Sequence, residues 1–183
     1  MLFLDIDGVL NTADTEEKAN SIVYIDEFRV EYLRQIVEVT DAKIVLSSSN
    51  RVHFKKVYDK VVPVSDRDCY APDFINILNK YGLSLYDVVS IIKNVSGKEV
   101  KRQDEIKRWL LQHDDVESFV ILDDETTFLM DFVDTNLIKL NNLPIGEMVC
   151  DMRDSIGLGE EHIKLAIDIL NNKDMNKKRV RGK

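Results

Sequence analysis

The sequence has few cysteines and no long hydrophobic run. Cys69 and Cys150 are its only cysteines and form no CxxC pair, so nothing indicates a disulfide framework or a zinc site. We expect both side chains to serve packing. No apolar stretch approaches the roughly 18 residues that a membrane helix needs. Residues 1–10 carry two acids in an apolar segment and do not resemble a secretory signal. We therefore expect a cytoplasmic protein with no membrane partner.

The charge of the chain is unevenly distributed. The net charge is −8, but residues 173–183 hold six cations and one anion, a net +5, so residues 1–172 carry −13. We expect one domain over residues 1–172 and a basic, disordered tail over 173–183, for which contact with a nucleic acid or another acidic partner is the alternative. The acidic body argues against a general nucleic-acid-binding domain, which would present a basic face.

Short apolar runs alternate with amphipathic segments along the chain. The runs predict strands at 2–4, 44–46, 86–92, 118–125 and 136–140, and the amphipathic segments predict helices at about 26–39, 52–58, 72–81, 103–113 and 159–172. Pro63 makes the VVPV segment an edge strand or an irregular connection. This alternation is typical of an α/β domain whose mostly parallel sheet is covered on both faces.

Polar side chains stand where the predicted strands end. They are Asp5 and Asp7 after the first strand, Ser47 to Ser49 after the second, and Asp123 and Asp124 after SFVIL. Between the serines and Asp123, Lys98, Lys101 and Arg102 precede the helix predicted at 103–113. Each feature alone has a structural explanation, as a turn, a helix cap or a solvated surface. Because the C-terminal ends of parallel strands meet at one edge, the set together predicts a single crevice.

The chemistry of this set suits a metal ion and a phosphoryl group. Two or three carboxylates form a hard-oxygen site of the kind that Mg²⁺ prefers. A hydroxyl and a cation are the groups that a phosphoryl group requires opposite that metal, since positioning and charge stabilisation dominate phosphoryl transfer.

Four segments resemble the motifs of the haloacid dehalogenase-like (HAD) phosphatases. LFLDIDGVLN is similar to the first motif, IVLSS to the second, KRQDEI to the third and VILDDE to the acidic fourth, over residues 2–125. VLSSSNR and EIKRWL…VILDDE further resemble small, uncapped HAD domains related to nucleic-acid repair proteins. The resemblance implies a Rossmann-like, three-layer α/β/α domain with a mostly parallel central sheet and a minimal cap or none.

The resemblance also implies a role for each matching residue. Asp5 is expected to attack phosphorus and form an aspartyl-phosphate, and Asp7 to act as general acid and then as general base. Mg²⁺ is expected to be held by the Asp5 carboxylate, the Asp7 backbone carbonyl and Asp123, with Asp124 close by. Ser48 is expected to donate a hydrogen bond to a phosphoryl oxygen.

Several assignments stay open at the level of sequence. The third-motif cation is Lys101 or Arg102, with Lys98 a distant third, and Ser47 replaces Ser48 if the strand end shifts by one residue. Asn50 stands where relatives often carry Trp.

The spacing of the motifs leaves room for only a small cap. About 40 residues separate the first two motifs, and the helix at 26–39 uses many of them, so residues 11–21 can form a polar flap and little else. Between the second and third motifs at most a small insert fits. By resemblance, uncapped members act on large substrates, so we expect a phosphorylated partner that is a nucleic-acid end, a nucleotide or a phosphoprotein.

Two other classes use similar residues. A response-regulator receiver places its acidic pair after the first strand and its lysine after the last, an order that this chain does not have. A non-catalytic HAD-like binding module is the second alternative, but both Asp5 and Asp7 are present, so turnover is the favoured interpretation.

Overall fold

The computed structural model describes residues 1–15, 23–65, 67 and 69–172. Its strands are β1 (Leu2–Leu4), β2 (Ile44–Leu46), β3 (Phe54–Val57), β4 (Lys60–Pro63), β5 (Leu85–Val88), β6 (Val120–Asp123) and β7 (Leu137–Lys139). Its α-helices are α1 (Glu27–Thr40), α2 (Tyr70–Lys80), α3 (Arg102–Leu111) and α4 (Glu160–Asn171). Short 3-10 helices cover Ser49–His53, Met130–Phe132 and Met152–Asp154.

Five strands form one parallel sheet in the order β5-β2-β1-β6-β7. In the centre, Leu4 of β1 is in register with Leu46 of β2 and Leu122 of β6. Because all five strands run in the same direction, their C-terminal ends lie at the same edge. The predicted Rossmann-like α/β architecture is confirmed.

Helices cover the sheet on both faces because the strand side chains alternate. Leu2 and Leu4 pack into a cluster that contains the apolar faces of α1, α2 and α4. Phe3 points to the opposite face, where it packs edge-on against Trp109 of α3 with ring centroids 5.3 Å apart. The two clusters fix the position of the sheet between its helices, so the edge that carries the polar residues is held by a close-packed core.

The segment after the second motif differs from its prediction. The helix predicted over 52–58 is wrong: a 3-10 helix ends at His53, and β3 and β4 follow as an antiparallel hairpin that turns at Tyr58, where φ is 54°. β-branched and aromatic residues favour strands, and β3 lies close to β5, where Lys56 forms an ion pair with Asp87. Pro63 lies in this separate two-stranded sheet, which agrees with its predicted edge position.

The remaining expectations have mixed outcomes. The strand predicted at 86–92 corresponds to β5, which ends at Val88 and does not reach residue 92. Both cysteines are exposed, so the expectation that they serve packing is wrong. Of the predicted flap at 11–21, residues 16–21 lie outside the described residues, as does the predicted tail at 173–183.

The described part of the chain holds no separate cap domain. Between Ser48 and Lys101 it contains a 3-10 helix, one hairpin, α2, β5 and a loop, which confirms the predicted minimal cap. None of the helices in the described ranges has the length and apolar content required to cross a membrane.

Candidate metal and phosphoryl site

Three carboxylates meet at the C-terminal edge of the two central strands. Asp5 directly follows β1, Asp123 ends β6 and Asp124 follows it; all three are buried, and one oxygen of each lies within 4.8 Å of the others. The strand ends fix two of the side chains: Asp5 Oδ1 accepts a hydrogen bond from its neighbour Ile6 N (2.7 Å), and Asp123 Oδ1 accepts one from Glu125 N (2.9 Å). Three buried carboxylates this close repel one another, so the donor set fits a divalent cation such as Mg²⁺.

Arg102 bridges two of these carboxylates. Its Nη1 donates to Asp5 Oδ2 (2.6 Å) and to Asp123 Oδ2 (2.5 Å). Burial alone lowers the pKa of Arg102, but the charges of Asp123 and Asp5 outweigh burial and hold its pKa above the ordinary value. Arg102 is the first residue of α3, so the packing of that helix against the sheet carries its guanidinium to the strand ends.

The two lysines proposed for the same role lie elsewhere. Lys101 is the exposed N-cap of α3, and Lys98 is exposed in the preceding loop. Within the described ranges neither forms an ion pair with the three carboxylates. Of the three predicted cations, the structure thus places Arg102 in contact with the clustered carboxylates.

Burial and mutual repulsion disfavour the ionised forms of Asp123 and Asp124. Burial raises the pKa of Asp123 to about 8, with a further rise from the charge of Asp5 that the guanidinium of Arg102 opposes. Burial raises the pKa of Asp124 to about 6 against a hydrogen bond from Ser155. A bound cation would favour the ionised forms, because its positive charge would offset the cost of ionising buried carboxylates.

Asp124 is held by groups that are distant in sequence. Ser155 Oγ donates to Asp124 Oδ2 at 2.5 Å, and Asn141 Nδ2 donates to the Asp124 carbonyl oxygen. Gly8 lies against the same carboxylate at a φ of 72°, and a Cβ at this position would collide with Asp124 Oδ2. The glycine of the first motif is therefore required both by its backbone conformation and by the closeness of Asp124.

Asp7 lies apart from the three clustered carboxylates and is held by two amides. Asn50 Nδ2 donates to Asp7 Oδ2 (2.7 Å), and Asn11 Nδ2 donates to Asp7 Oδ1 (3.0 Å). The Asn11 side chain is itself oriented, because its Oδ1 accepts from Gly8 N (2.9 Å). Both oxygens of Asp7 are thus fixed in place. The sequence drew attention to Asn50 only as a departure from the usual Trp, and to Asn11 only as a turn residue at the end of the first motif.

Ser47 and Ser48 are both buried at the end of β2, but their hydroxyls differ. Ser48 Oγ accepts from Asn50 N (3.2 Å) and caps the 3-10 helix. Ser47 Oγ is buried and has no hydrogen-bond partner in the described part of the chain. Both serines proposed to contact the phosphoryl group therefore lie at the end of β2, and this position does not distinguish between them.

A buried ion pair joins this strand end to α3. Arg51 Nη1 donates to the Ser48 carbonyl oxygen (2.8 Å), and Arg51 Nη2 donates to Glu105 Oε2 (2.6 Å). Glu105 Oε1 in turn accepts from Ile92 N (2.8 Å). Burial lowers the pKa of Arg51 and raises the pKa of Glu105, although each opposes the shift of the other. No local sequence pattern indicates this network, which holds Ser48 and the start of α3 in a fixed relation.

Comparison with known proteins finds a match over most of the chain. The family model described as the HAD domain in Swiss Army Knife RNA repair proteins matches residues 1–143, a range that contains the three clustered carboxylates, Asp7 and Arg102. No curated protein and no solved structure matches the chain. Ser155 and α4, which complete the support of Asp124 and of the core, lie beyond the matched range.

Proposed function

Since the chain belongs to the family of HAD domains in Swiss Army Knife RNA repair proteins, we propose that it is a Mg²⁺-dependent phosphatase that hydrolyses a phosphomonoester through an aspartyl-phosphate. The observation that carries this proposal is the buried set of Asp5, Asp123 and Asp124 with Arg102 between two of them. When bound there, Mg²⁺ would offset the negative charge of both the nucleophile and the phosphate, so that the two can approach.

The first half of the reaction forms a bond between Asp5 and phosphorus. A carboxylate oxygen of Asp5 attacks the phosphorus, the bond to the leaving oxygen breaks, and Asp7 gives that oxygen a proton. Asn11 and Asn50 support this step because they hold both carboxylate oxygens of Asp7 in a fixed orientation.

The second half removes the phosphoryl group from Asp5. Asp7 takes a proton from a water molecule, which attacks phosphorus and releases inorganic phosphate together with the free Asp5 carboxylate. Arg102 stabilises the charge on the phosphoryl oxygens, and Ser48 donates to one of them. Lys101, which is exposed, contributes positive charge at the rim.

For the substrate, we propose a nucleic-acid end. Repair of RNA is named in the description of the matched family, and terminal phosphates are the groups that such repair must remove or restore. The minimal cap supports a large substrate, because no separate domain closes over the strand ends in the described structure. A nucleotide or a phosphoprotein remains the alternative substrate for the same chemistry.

Phosphate release from p-nitrophenyl phosphate tests the proposed reaction. We expect turnover in Mg²⁺, none in EDTA, and none with Asp5→Asn, which keeps the shape of the side chain but removes the nucleophilic oxygen. Equal turnover by wild type and Asp5→Asn would contradict the proposal. If a folded, metal-loaded wild type shows no turnover, beryllium fluoride binding separates a selective enzyme, which binds it at Asp5, from a non-catalytic binding module, which does not.

A further inference from the structure

The loop between β5 and α3 is an ordered turn, although residues 93–99 are exposed. Asn94 organises it: its side-chain Oδ1 accepts from Ser96 N and Lys98 N, both at 3.0 Å, and its own N–H donates to the Lys98 carbonyl oxygen at 2.7 Å. Below the turn, Lys93 and Glu99 form an isolated antiparallel bridge. The loop therefore presents its side chains from a defined backbone.

The base of this loop is tied to the candidate site. Ile92 N donates to Glu105 Oε1, and Glu105 pairs with Arg51, which donates to the Ser48 carbonyl oxygen. At its other end the loop leads directly into Arg102, which contacts Asp5 and Asp123. Both ends of the loop are thus anchored to groups at the C-terminal edge of the sheet.

Four cations on and beside the loop have no ion-pair partner in the described structure. We call them the basic rim; they are exposed, and they are Lys93, Lys98, Lys101 and Arg108. Lys56 and Lys80 are paired, with Asp87 and Glu27, whereas the exposed Lys43 and Lys164 also form no ion pair in the described structure. Residues 93–108 hold six cations and three anions, a net +3, whereas residues 1–172 carry −13, so this segment departs from the acidic balance of the domain.

A cleft continues the basic rim away from the catalytic residues. It has a volume of about 320 Å³ and lies between the Ser90–Lys93 segment and α3. Lys93 and Arg108 line it, together with Gln112 and with Glu105, whose charge is paired with Arg51. Its volume is within the range of about 300–1,000 Å³ that is typical of ligand pockets. Lys93 belongs to both the loop and the cleft, so the two form one surface.

We propose that the basic rim binds the phosphate backbone of a single-stranded nucleic acid whose terminal phosphate lies in the catalytic site. This inference rests on the proposed function. A phosphopeptide presents one phosphate, which Arg102 and the metal would hold, and it leaves the four rim cations without a counterpart. A strand presents further phosphates at regular spacing, and Lys and Arg are the side chains that neutralise them.

The test measures the salt dependence of binding to a single-stranded RNA oligonucleotide with a terminal phosphate. The binding chain is Asp5→Asn, so that no turnover occurs. We compare Lys93→Gln/Lys98→Gln with the control pair Lys43→Gln/Lys164→Gln, which removes the same charge from exposed positions at the opposite edge of the sheet and on α4. Arg108→Gln tests the cleft separately. Thermal unfolding verifies that each variant is folded.

We expect the rim pair to weaken binding and to reduce the slope of log K against log salt by about 1.4, since each phosphate contact on a single strand contributes about 0.7. The control pair should leave the slope unchanged, and Arg108→Gln should lower it by about 0.7. If the rim pair and the control pair have equally small effects on the slope, the proposal is overturned. This is the result expected if the tail at 173–183 carries the binding. Displacement of the RNA by a singly phosphorylated peptide but not by unlabelled RNA would also overturn it.

This experiment is independent of catalysis. If the rim pair lowers the slope but wild type releases no phosphate from the same oligonucleotide, the proposed function fails and the binding surface stands. If wild type hydrolyses the oligonucleotide and the slope does not change, the proposed function stands and the basic rim does not bind the strand.

Discussion

At the scale of single residues, Gly8 is the position in the site where an added side chain has the least room. We predict that Gly8→Ala lowers Mg²⁺ affinity by about 10–100-fold, because the new Cβ displaces Asp124 and disturbs its hydrogen bond from Ser155. Isothermal titration with Mg²⁺ measures the effect.

Gly82→Ala is the matched control for Gly8→Ala. Gly82 has nearly the same φ, 70° against 72°, but no atom lies within 4 Å of its added Cβ. It should therefore share the backbone strain, about 1–2 kcal/mol, and keep the metal affinity. Equal Mg²⁺ affinity of the two variants would show that Asp124 does not depend on the space at Gly8.

Asn50 is the second residue with a sharp expectation. Asn50→Leu has a similar size but no donor for Asp7 Oδ2, so the Asp7 carboxylate keeps only its hydrogen bond from Asn11. We predict a fall in kcat of up to about 100-fold with little change in KM, because misorientation of an acid–base group affects the chemical step. Steady-state kinetics on one phosphomonoester, with Asn79→Leu on the exposed surface of α2 as control, measures it. An unchanged kcat would refute the role of Asn50.

The sequence predicted the acids of the site better than their partners. Asp5, Asp123 and Asp124 follow apolar strands, so strand recognition alone brings them to one edge. Asn50 reaches Asp7 across 43 residues, and Ser155 reaches Asp124 across 31. Such contacts depend on how loops fold back over the sheet, and no local spacing encodes them.

At the scale of elements, the buried pair of Arg51 and Glu105 holds the loop after β2 to α3. Loss of one partner leaves an uncompensated buried charge, which costs about 3–5 kcal/mol. We therefore predict that Arg51→Ala and Glu105→Ala each lower the free energy of unfolding by about this amount, and that the double variant loses less than the sum. Urea denaturation of the three variants and wild type gives the coupling energy. Strict additivity would mean that the pair does not act as a unit.

Helix α4 contains a residue whose effect depends on pH. His162 Nδ1 accepts from Gly159 N at 2.9 Å at the start of this helix, and burial lowers the pKa of the imidazole below its ordinary value of 6.5. The unfolded chain therefore takes up a proton near pH 6.5 that the folded chain resists, so stability falls as the pH drops through that value.

We predict that His162→Gln removes this part of the acid sensitivity. The difference in unfolding free energy between wild type and His162→Gln should be largest near pH 8 and should shrink by pH 5.5 as wild type loses stability. Urea denaturation at both pH values measures it. If the difference in unfolding free energy grows on acidification, the pKa of His162 is raised by folding rather than lowered, and the prediction is wrong.

The hairpin formed by β3 and β4 illustrates why one element was predicted wrongly. Its segment is short and mixes apolar residues with lysines, so periodicity alone does not separate a helix from a strand. Its strand state is supported by groups distant in sequence, since Lys56 pairs with Asp87 and lies over the ring of Tyr86, both in β5. By contrast, β1, β2 and β6 are buried throughout and could be predicted from their apolar runs alone.

At the scale of the whole molecule, the order of the motifs along the chain predicted the fold class and the edge that holds the site. A parallel sheet brings strand ends together, whatever the connections between them. The distribution of charge was predicted only for the tail. In the sequence, Lys98 and Lys101 stood out only as candidates for the third-motif cation, and their grouping with Lys93 and Arg108 depends on the loop and on α3.

The central claim is that Asp5 becomes covalently phosphorylated, and acid quenching during turnover of a ³²P-labelled phosphomonoester tests it most directly. We predict labelled protein that is stable to acid and sensitive to hydroxylamine in wild type, and none with Asp5→Asn. With a leaving group that needs no proton, Asp7→Asn should accumulate more label than wild type, because the second step lacks its base. Phosphate release with no labelled protein in either wild type or Asp7→Asn would contradict the account.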